Sequence, residues 1–177
     1  MSTDYLRAID ESDLDRLLSW RNSEQVRRFM YSSQLIKREE HLRWFEAIRH
    51  DQKRYPLIFV RDETPCGYVN IGPIKPGGIA AWGFYAAPDA PPGTGHRMGQ
   101  CALKYAFETL HLHKLCGEAL GYNEASQRFH RRLGFIQEGD LVDQHFDGSA
   151  YHNVICFGLT VDQWRQQRMG NGDDSNG

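Results

Sequence analysis

Two hydrophobic periods run along this chain, and the places where one gives way to the other mark the elements. Tyr5 to Ile9 is short and mixed in polarity, as a first strand would be. Asp10-Glu11-Ser12-Asp13 then supplies N-cap and first-turn carboxylates. Leu14, Leu17 and Leu18 follow at helical spacing, which predicts a helix from Ser12 to about Asn22. Val26 to Tyr31 has a looser pattern. A second helix, Glu39 to about His50, is expected to carry Leu42, Phe45 and Ile48 on one face. The period then shortens. Pro56 to Arg61 reads as a strand, Asp62 to Pro65 as a turn, and Cys66 to Ile71 as the return strand. Pro76-Gly77-Gly78 turns the chain again before an apolar run, Ala80 to Ala86, expected to be a buried strand. The first half thus predicts three successive antiparallel strands.

The stretch from Trp82 to Tyr105 organises the rest. Pro88, Pro91 and Pro92 forbid regular structure after the buried strand, and Gly93 and Gly95 follow. From Arg97 a helical face begins, with Cys101, Leu103, Ala106, Phe107 and Leu110. Strand, glycine turn and helix N-terminus is an order that offers unpaired N–H groups and a partial positive charge to an anion such as phosphate. Further on, Leu115 to Leu120 is a predicted strand, and Asn123 to Arg132 a helix that Gly134 can cap. Ile136 to Phe146 and Tyr151 to Leu159 form a hairpin around Asp147-Gly148, and Thr160 caps a last short helix through Trp164. One domain over 1–166 is expected, with a disordered polar tail over 167–177.

Composition narrows the classes. The chain has 177 residues, 40% hydrophobic and 25% charged, with a formal net charge of -2, so no basic field argues for nucleic acid or a membrane surface. The N-terminal residues lack a signal peptide's apolar core, so the expected location is the cytoplasm. Cys66, Cys101, Cys116 and Cys156 are widely spaced in apolar contexts, and the eight histidines are scattered without a ligand pattern; neither a metal nor a disulfide framework is expected. A Walker-type loop is excluded by the missing Gly-Lys-Ser/Thr.

Two motifs together resemble the GCN5-related N-acetyltransferase (GNAT) family, over roughly Tyr5 to Leu159. One is the turn and helix start at Pro92-Gly93-Thr94-Gly95-His96-Arg97. The other is Asn123 to Phe135, where the family commonly shows Asn-x-x-Ala-x-x-Leu-Tyr-x-x-x-Gly-Phe. The resemblance implies an α/β fold with a mixed, mostly antiparallel sheet of about seven strands, four to five flanking helices and a splayed central strand pair. The chain departs from the pattern in both motifs. In the first, Pro92 stands where the family usually has Gln or Arg, and Arg97 where it has Gly or Ala, which costs a close backbone approach but adds a cation near phosphate. In the second, His130 stands where many relatives have Tyr. Trp20-Arg21-Asn22, Phe29-Met30-Tyr31 and Glu39 to Trp44 look like a subgroup acting on nucleotide-linked amino sugars of the pseudaminic acid type. Ribosomal-protein N-terminal acetyltransferases carry a segment like the first of these.

The resemblance implies acetyl-CoA as cosubstrate and the C4 amine of a UDP-linked 4-amino-4,6-dideoxy sugar as acceptor, attacked directly in a ternary complex. A homodimer is compatible with it. Main-chain amides of Gly93, Thr94, Gly95, His96, Arg97 and Met98 would hold the diphosphate, and the exposed backbone of Phe84, Tyr85 and Ala86 would pair with pantetheine like an added strand. A main-chain N–H of that strand would serve as oxyanion donor. Asn123 matches the residue that meets the pantetheine arm, with Ser126 beside it; its plain alternative is a helix N-cap. His130 is the expected general acid, or else a helix-surface histidine. Glu118 is the expected base through water, or an outward strand residue. Arg21 and His41 would bind phosphate or hydroxyl groups, and Met30, Tyr31 and Trp44 would pack base and sugar. Equally, Met30 and Trp44 suit an ordinary core, and Arg21 a helix C-terminus. A protein N-terminal or lysine acetyltransferase and a non-catalytic acyl-CoA-binding subunit are the competing readings.

Overall fold

The computed structural model describes residues 3–170. Seven strands form one sheet, β1 (Asp4–Ala8), β2 (Tyr55–Arg61), β3 (Thr64–Ile71), β4 (Ile79–Ala86), β5 (Lys114–Leu120), β6 (Ile136–Phe146) and β7 (Tyr151–Thr160). Their order across the sheet is β1-β2-β3-β4-β5-β7-β6. Every neighbouring pair is antiparallel except β4 and β5, which run parallel.

That parallel pair is short. It holds only from Ile79↔Lys114 to Ala81↔Cys116. Beyond it, β4 keeps its β3 partners as far as Ala86, and β5 keeps its β7 partners as far as Leu120. The two strands therefore part, and each is left with one unpaired backbone edge facing the gap.

Six helices cover the sheet: α1 (Leu14–Asn22), α2 (Glu24–Arg27), α3 (Arg38–Arg49), α4 (Thr94–Lys104), α5 (Glu124–Arg132) and α6 (Val161–Gly170). One more than the expected upper number appears because α2 is a single turn, too short to show a period. Met98, Ala102 and Leu103 of α4, Leu133 at the C-cap of α5 and Trp164 of α6 are buried against Val69, Leu115 and Phe157 of one sheet face. On the other face Leu17 and Trp20 of α1, with Trp44 of α3, pack on Ile58, Val60 and Tyr68.

Several local expectations meet corrections. The buried face of α3 is His41, Phe45 and Ile48, so His41 takes the place expected for Leu42, which is 38% exposed. The helix after the glycine turn starts at Thr94, ahead of Arg97, and its last part, Tyr105–Thr109, is a π-turn closed by Leu110 N–H on the Tyr105 carbonyl at 2.9 Å. That wider turn lets the adjacent residues Ala106 and Phe107 both face the core. Thr160 caps α6 as expected, with Gln163 reciprocating. The helix itself continues to Gly170, so residues 167–170 are helical where a tail was expected, held by Gln167 Nε2 donating to the Gly134 carbonyl at 2.9 Å. The rest of that expected tail lies outside the described residues.

The entry to α1 is anchored by charge. Asp10 and Asp13 form a capping box, and Asp13, fully buried, also accepts from Arg7 at 2.6 and 2.8 Å and from Arg16 at 2.9 Å. Burial alone would raise the Asp13 pKa, but the Arg7 and Asp10 hydrogen bonds outweigh it and lower the value.

Candidate active site

A cleft of about 1010 Å³ opens where β4 and β5 part. One wall is made of β4 from Trp82 to Ala86, Gly95 and Met98 of α4, and Asn123 and Ser126 at the start of α5. Gly93 sits in the left-handed region at φ 82°, which turns the chain into α4 without a side-chain penalty. Thr94 locks this turn from below. Its hydroxyl donates to the Pro91 carbonyl at 2.7 Å and accepts from Arg61, while its own N–H goes to Pro91 at 3.2 Å. The first intrahelical bond is Arg97 N–H to Gly93 at 3.3 Å. Gly95 and His96 precede a full turn, so their amides have no intrahelical acceptor.

The site residues expected from the sequence divide accordingly. Phe84, Tyr85, Ala86, Gly95, Met98, Asn123 and Ser126 line the cleft; Gly93, Thr94, His96 and Arg97, from the N-cap and first turn of α4, are not among the lining residues. Arg97 departs from expectation. Its Nε donates to Asp4 Oδ2 at 2.5 Å, so its cation is directed at β1. Asn123 does cap α5, accepting from Ser126 N–H at 3.1 Å, and still faces the cleft.

His130 needs a larger correction. It is fully buried and does not line the cleft. Its Nδ1–H donates to the Ser126 carbonyl at 2.8 Å, and its Nε2 accepts from the Trp82 indole at 3.2 Å. The ring stacks on Phe157 at 4.8 Å and meets Phe84, Phe129 and Phe135. Burial lowers its pKa, an effect only partly offset by the Ser126 carbonyl. A neutral ring with its single N–H committed to a carbonyl has no proton aimed at the cleft. Space for it exists because position 117 is glycine: a Cβ there would lie 2.4 Å from His130 Nε2 and 2.7 Å from Trp82 Nε1.

The opposite wall gathers Arg21, Met30, Tyr31, His41 and Trp44 from the α1 to α3 region, all of which line the cleft together with Glu118. Glu118 faces this space, and the Tyr31 hydroxyl donates to its Oε2. Burial and then that hydrogen bond raise the Tyr31 pKa. His41 stacks on Trp44 at 5.2 Å and donates its Nε2–H to the Leu14 carbonyl at 2.9 Å; burial lowers its pKa. The hydrogen bonding expected of His41 toward a phosphate or hydroxyl of the acceptor is thus taken up in part by the Leu14 carbonyl. Arg21 Nη2 donates to the Ser32 carbonyl at 2.9 Å, whereas its Nη1 is buried without a partner in the protein.

Sequence reasoning missed Asn70 and Tyr68, which project from β3 into the same cleft. Asn70 Oδ1 is, after Arg21 Nη1, the second buried polar atom without a protein partner among the cleft-lining residues. Strand alternation places Tyr68 and Asn70 on one face and was the available signal. Tyr85, expected to act through its backbone, also puts its ring on this face, 5.2 Å from that of Tyr68. Cys116 lines the cleft too, and burial pushes its thiol pKa up, which disfavours the nucleophilic thiolate. Among the described residues no cluster of His, Cys, Asp and Glu could hold a metal, and no helix is long and apolar enough to cross a membrane.

A seven-stranded sheet split at its parallel pair, with open helix-N-terminal amides at the mouth of the split, is the architecture that the resemblance to acetyltransferases implies. The pattern of the acetyltransferase (GNAT) domain family matches residues 5–136, and the chain belongs to that family. It is similar to the spermidine N(1)-acetyltransferase of Escherichia coli strain K12, 26% identical over 85% of this chain and 82% of that one. The SPbeta prophage-derived uncharacterized N-acetyltransferase YokL of Bacillus subtilis strain 168 is 33% identical, over 47% of this chain and about half (49%) of that protein. In fold, the chain is similar to the spermidine N-acetyltransferase of Vibrio cholerae solved with CoA and spermine, at TM-score 0.85 and 21% identity, covering 92% of this chain and 98% of that one. The protein is an acetyl-CoA-dependent N-acetyltransferase.

Proposed function

We propose that the chain acetylates the primary amine of a small molecule bound on the Glu118 side of the cleft, by direct attack in a ternary complex. The observation that carries this reading is the split itself. It joins, in one cleft, the Gly95 end of α4 and the free edge of β4 on one side with Glu118 and Arg21 on the other.

Each part then has a task. The Gly95 and His96 amides suit the coenzyme diphosphate, and the β4 edge from Phe84 to Ala86 suits pantetheine, with a main-chain N–H available to a developing oxyanion. Glu118 takes a proton from the acceptor amine as nitrogen attacks the thioester carbon. The raised pKa of Cys116 favours direct transfer over an acyl-enzyme.

The acceptor we favour pairs its amine with an oxygen-bearing or anionic group. Arg21 Nη1 and Asn70 Oδ1 are a buried donor and a buried acceptor that the protein leaves uncompensated, and such groups are costly unless a ligand meets them. The aromatic wall of Trp44, Tyr68 and Tyr85 supports a ring or apolar body. A UDP-linked 4-amino-4,6-dideoxy sugar, suggested by the sequence motifs, belongs to this class. A polyamine is the second reading, favoured by the relatives that bear that activity in their names and by the carboxylates of Glu40 and Glu118 in the cleft. Arg21 disfavours it by charge repulsion.

Thiol release from acetyl-CoA by the purified protein tests these readings against a UDP-linked 4-amino sugar, spermidine and a lysine peptide. Release with the sugar and not with spermidine supports the favoured acceptor. Release with spermidine alone selects the polyamine reading, and release with the peptide alone rejects both.

A further inference from the structure

The sealed position of His130 leaves a chemical question. When the tetrahedral intermediate collapses, the C–S bond breaks and sulfur keeps the electron pair, so the leaving thiolate is helped by a proton. We infer that Tyr31 is the catalytic acid that supplies it, coupled through its hydrogen bond to Glu118. This inference rests on the acetyl-transfer reading above.

The geometry is built. Tyr31 lies between α2 and α3, in a segment tied down at several points. Arg21 holds the Ser32 carbonyl at 2.9 Å and Arg27 the Ser33 carbonyl at 3.1 Å. Asn22 exchanges two hydrogen bonds with the Ile36 main chain, at 2.9 and 2.8 Å. On the far side of the split, the Tyr122 hydroxyl donates to the Arg28 carbonyl at 3.3 Å. The segment therefore spans from α1 to the end of β5, and its Tyr31 hydroxyl meets Glu118, two residues beyond the last β4–β5 pair at Cys116. Tyr31 lines the cleft, as His130 does not; His41, Tyr68 and Tyr85 line it too, but it is the Tyr31 hydroxyl that meets the Glu118 carboxylate.

The proton balance closes within the pair. Before reaction Tyr31 O–H donates to the Glu118 carboxylate, which keeps the phenol protonated. The amine attacks, the C–N bond forms, and Glu118 accepts a proton from the nitrogen. With its charge gone, Glu118 no longer holds the phenol proton, and its new O–H can donate to the Tyr31 oxygen instead. Tyr31 O–H then protonates sulfur as the C–S bond breaks, and Glu118 returns its proton to the phenolate. One proton has moved from nitrogen to sulfur, and both side chains are restored.

The test uses the full chain, acetyl-CoA and the amine found active with the wild type. Tyr31→Phe keeps the ring and removes only the hydroxyl of a side chain that is 53% exposed. We expect kcat to fall about 100-fold, the low end of general acid–base contributions, with KM for both substrates within about threefold. Glu118→Gln should lose a similar amount, and the double variant should be no more than about threefold slower than the worse single variant, because the two act as a unit. A thermal shift with acetyl-CoA should be unchanged in Tyr31→Phe. The assignment is overturned by a kcat within about threefold of wild type, by a rise in amine KM with kcat intact, by losses that multiply in the double variant, or by lost coenzyme binding. Absence of thiol release by the wild type with every amine overturns the transfer reading and this inference with it, whereas the other outcomes overturn the inference alone.

Discussion

Gly117 and Glu118 are neighbours on β5, yet they look into two different chemistries. Gly117 is buried and borders the cleft with its main chain, but the side a Cβ would take is filled by Trp82 and His130, where every polar atom of the histidine ring has a partner and aromatic rings close the space. Glu118 faces the cleft, where Arg21 and Asn70 each keep a buried polar atom without a protein partner. One face is complete without a ligand and the other is not. Arg27 Nε and His96 Nδ1 also lack partners but do not line the cleft, so it is the pairing of uncompensated polar groups with the cleft, more than the presence of a titratable ring, that marks the working side.

The sharpest way to separate the faces is Glu118→Gln. Glu118 is exposed, so the change should leave the thermal midpoint unaltered while kcat falls about 100-fold or more. A midpoint drop comparable to that of a core change would erase the distinction. Gly117→Ala probes the closed face with the opposite expectation. Its methyl meets His130 and Trp82 at contact distances no core tolerates, so stability should fall by about 1–3 kcal/mol, read as a lower denaturant midpoint. A fully stable Gly117→Ala would mean that the closed face has slack.

Arg21→Gln should raise the KM of an anionic acceptor about tenfold and leave KM for acetyl-CoA alone, since removing the charge weakens one hydrogen-bonded group on the open face. For a polyamine the same change should lower KM instead.

The smallest effect is a pH dependence of stability, carried by the closed face. Burial holds the His130 pKa below its ordinary 6.5, so the unfolded chain binds a proton that the folded chain does not. Its contribution is complete above about pH 6.5 and is lost as pH falls toward the folded value. Asp13 acts lower. Its pKa is held below 3.8, against burial, by Arg7 and the Asp10 amide, so its contribution is present above that value and lost on further acidification. Thermal melts between pH 7 and 3 should show the first decline in wild type and a weaker one in His130→Phe.

What could be read along the chain was whatever repeats locally. Helix α1, the β2–β3–β4 run and the β6–β7 hairpin follow from periodicity and turn residues, and Arg21, Met30, Tyr31, His41 and Trp44 do converge on one cleft. What stayed hidden depends on pairs far apart in sequence. Arg97 finds Asp4 across 93 positions, and Tyr31 finds Glu118 across 87. His130 sits in the family's tyrosine position, but its fate is set by a missing side chain at Gly117 and an indole at Trp82, neither of which leaves a mark near residue 130. The π-turn at Tyr105–Thr109 likewise has no signature beyond an ordinary helical face.

The claim that chemistry belongs to the Glu118 face, with His130 a part of the core, is tested most directly by the kcat of His130→Phe at saturating acetyl-CoA and amine, measured on protein shown to be folded. Losing the indole's acceptor should cost about 1–3 kcal/mol of stability, and kcat should stay within about tenfold of wild type. A folded His130→Phe whose kcat falls several hundredfold would return proton transfer to His130 and contradict the account.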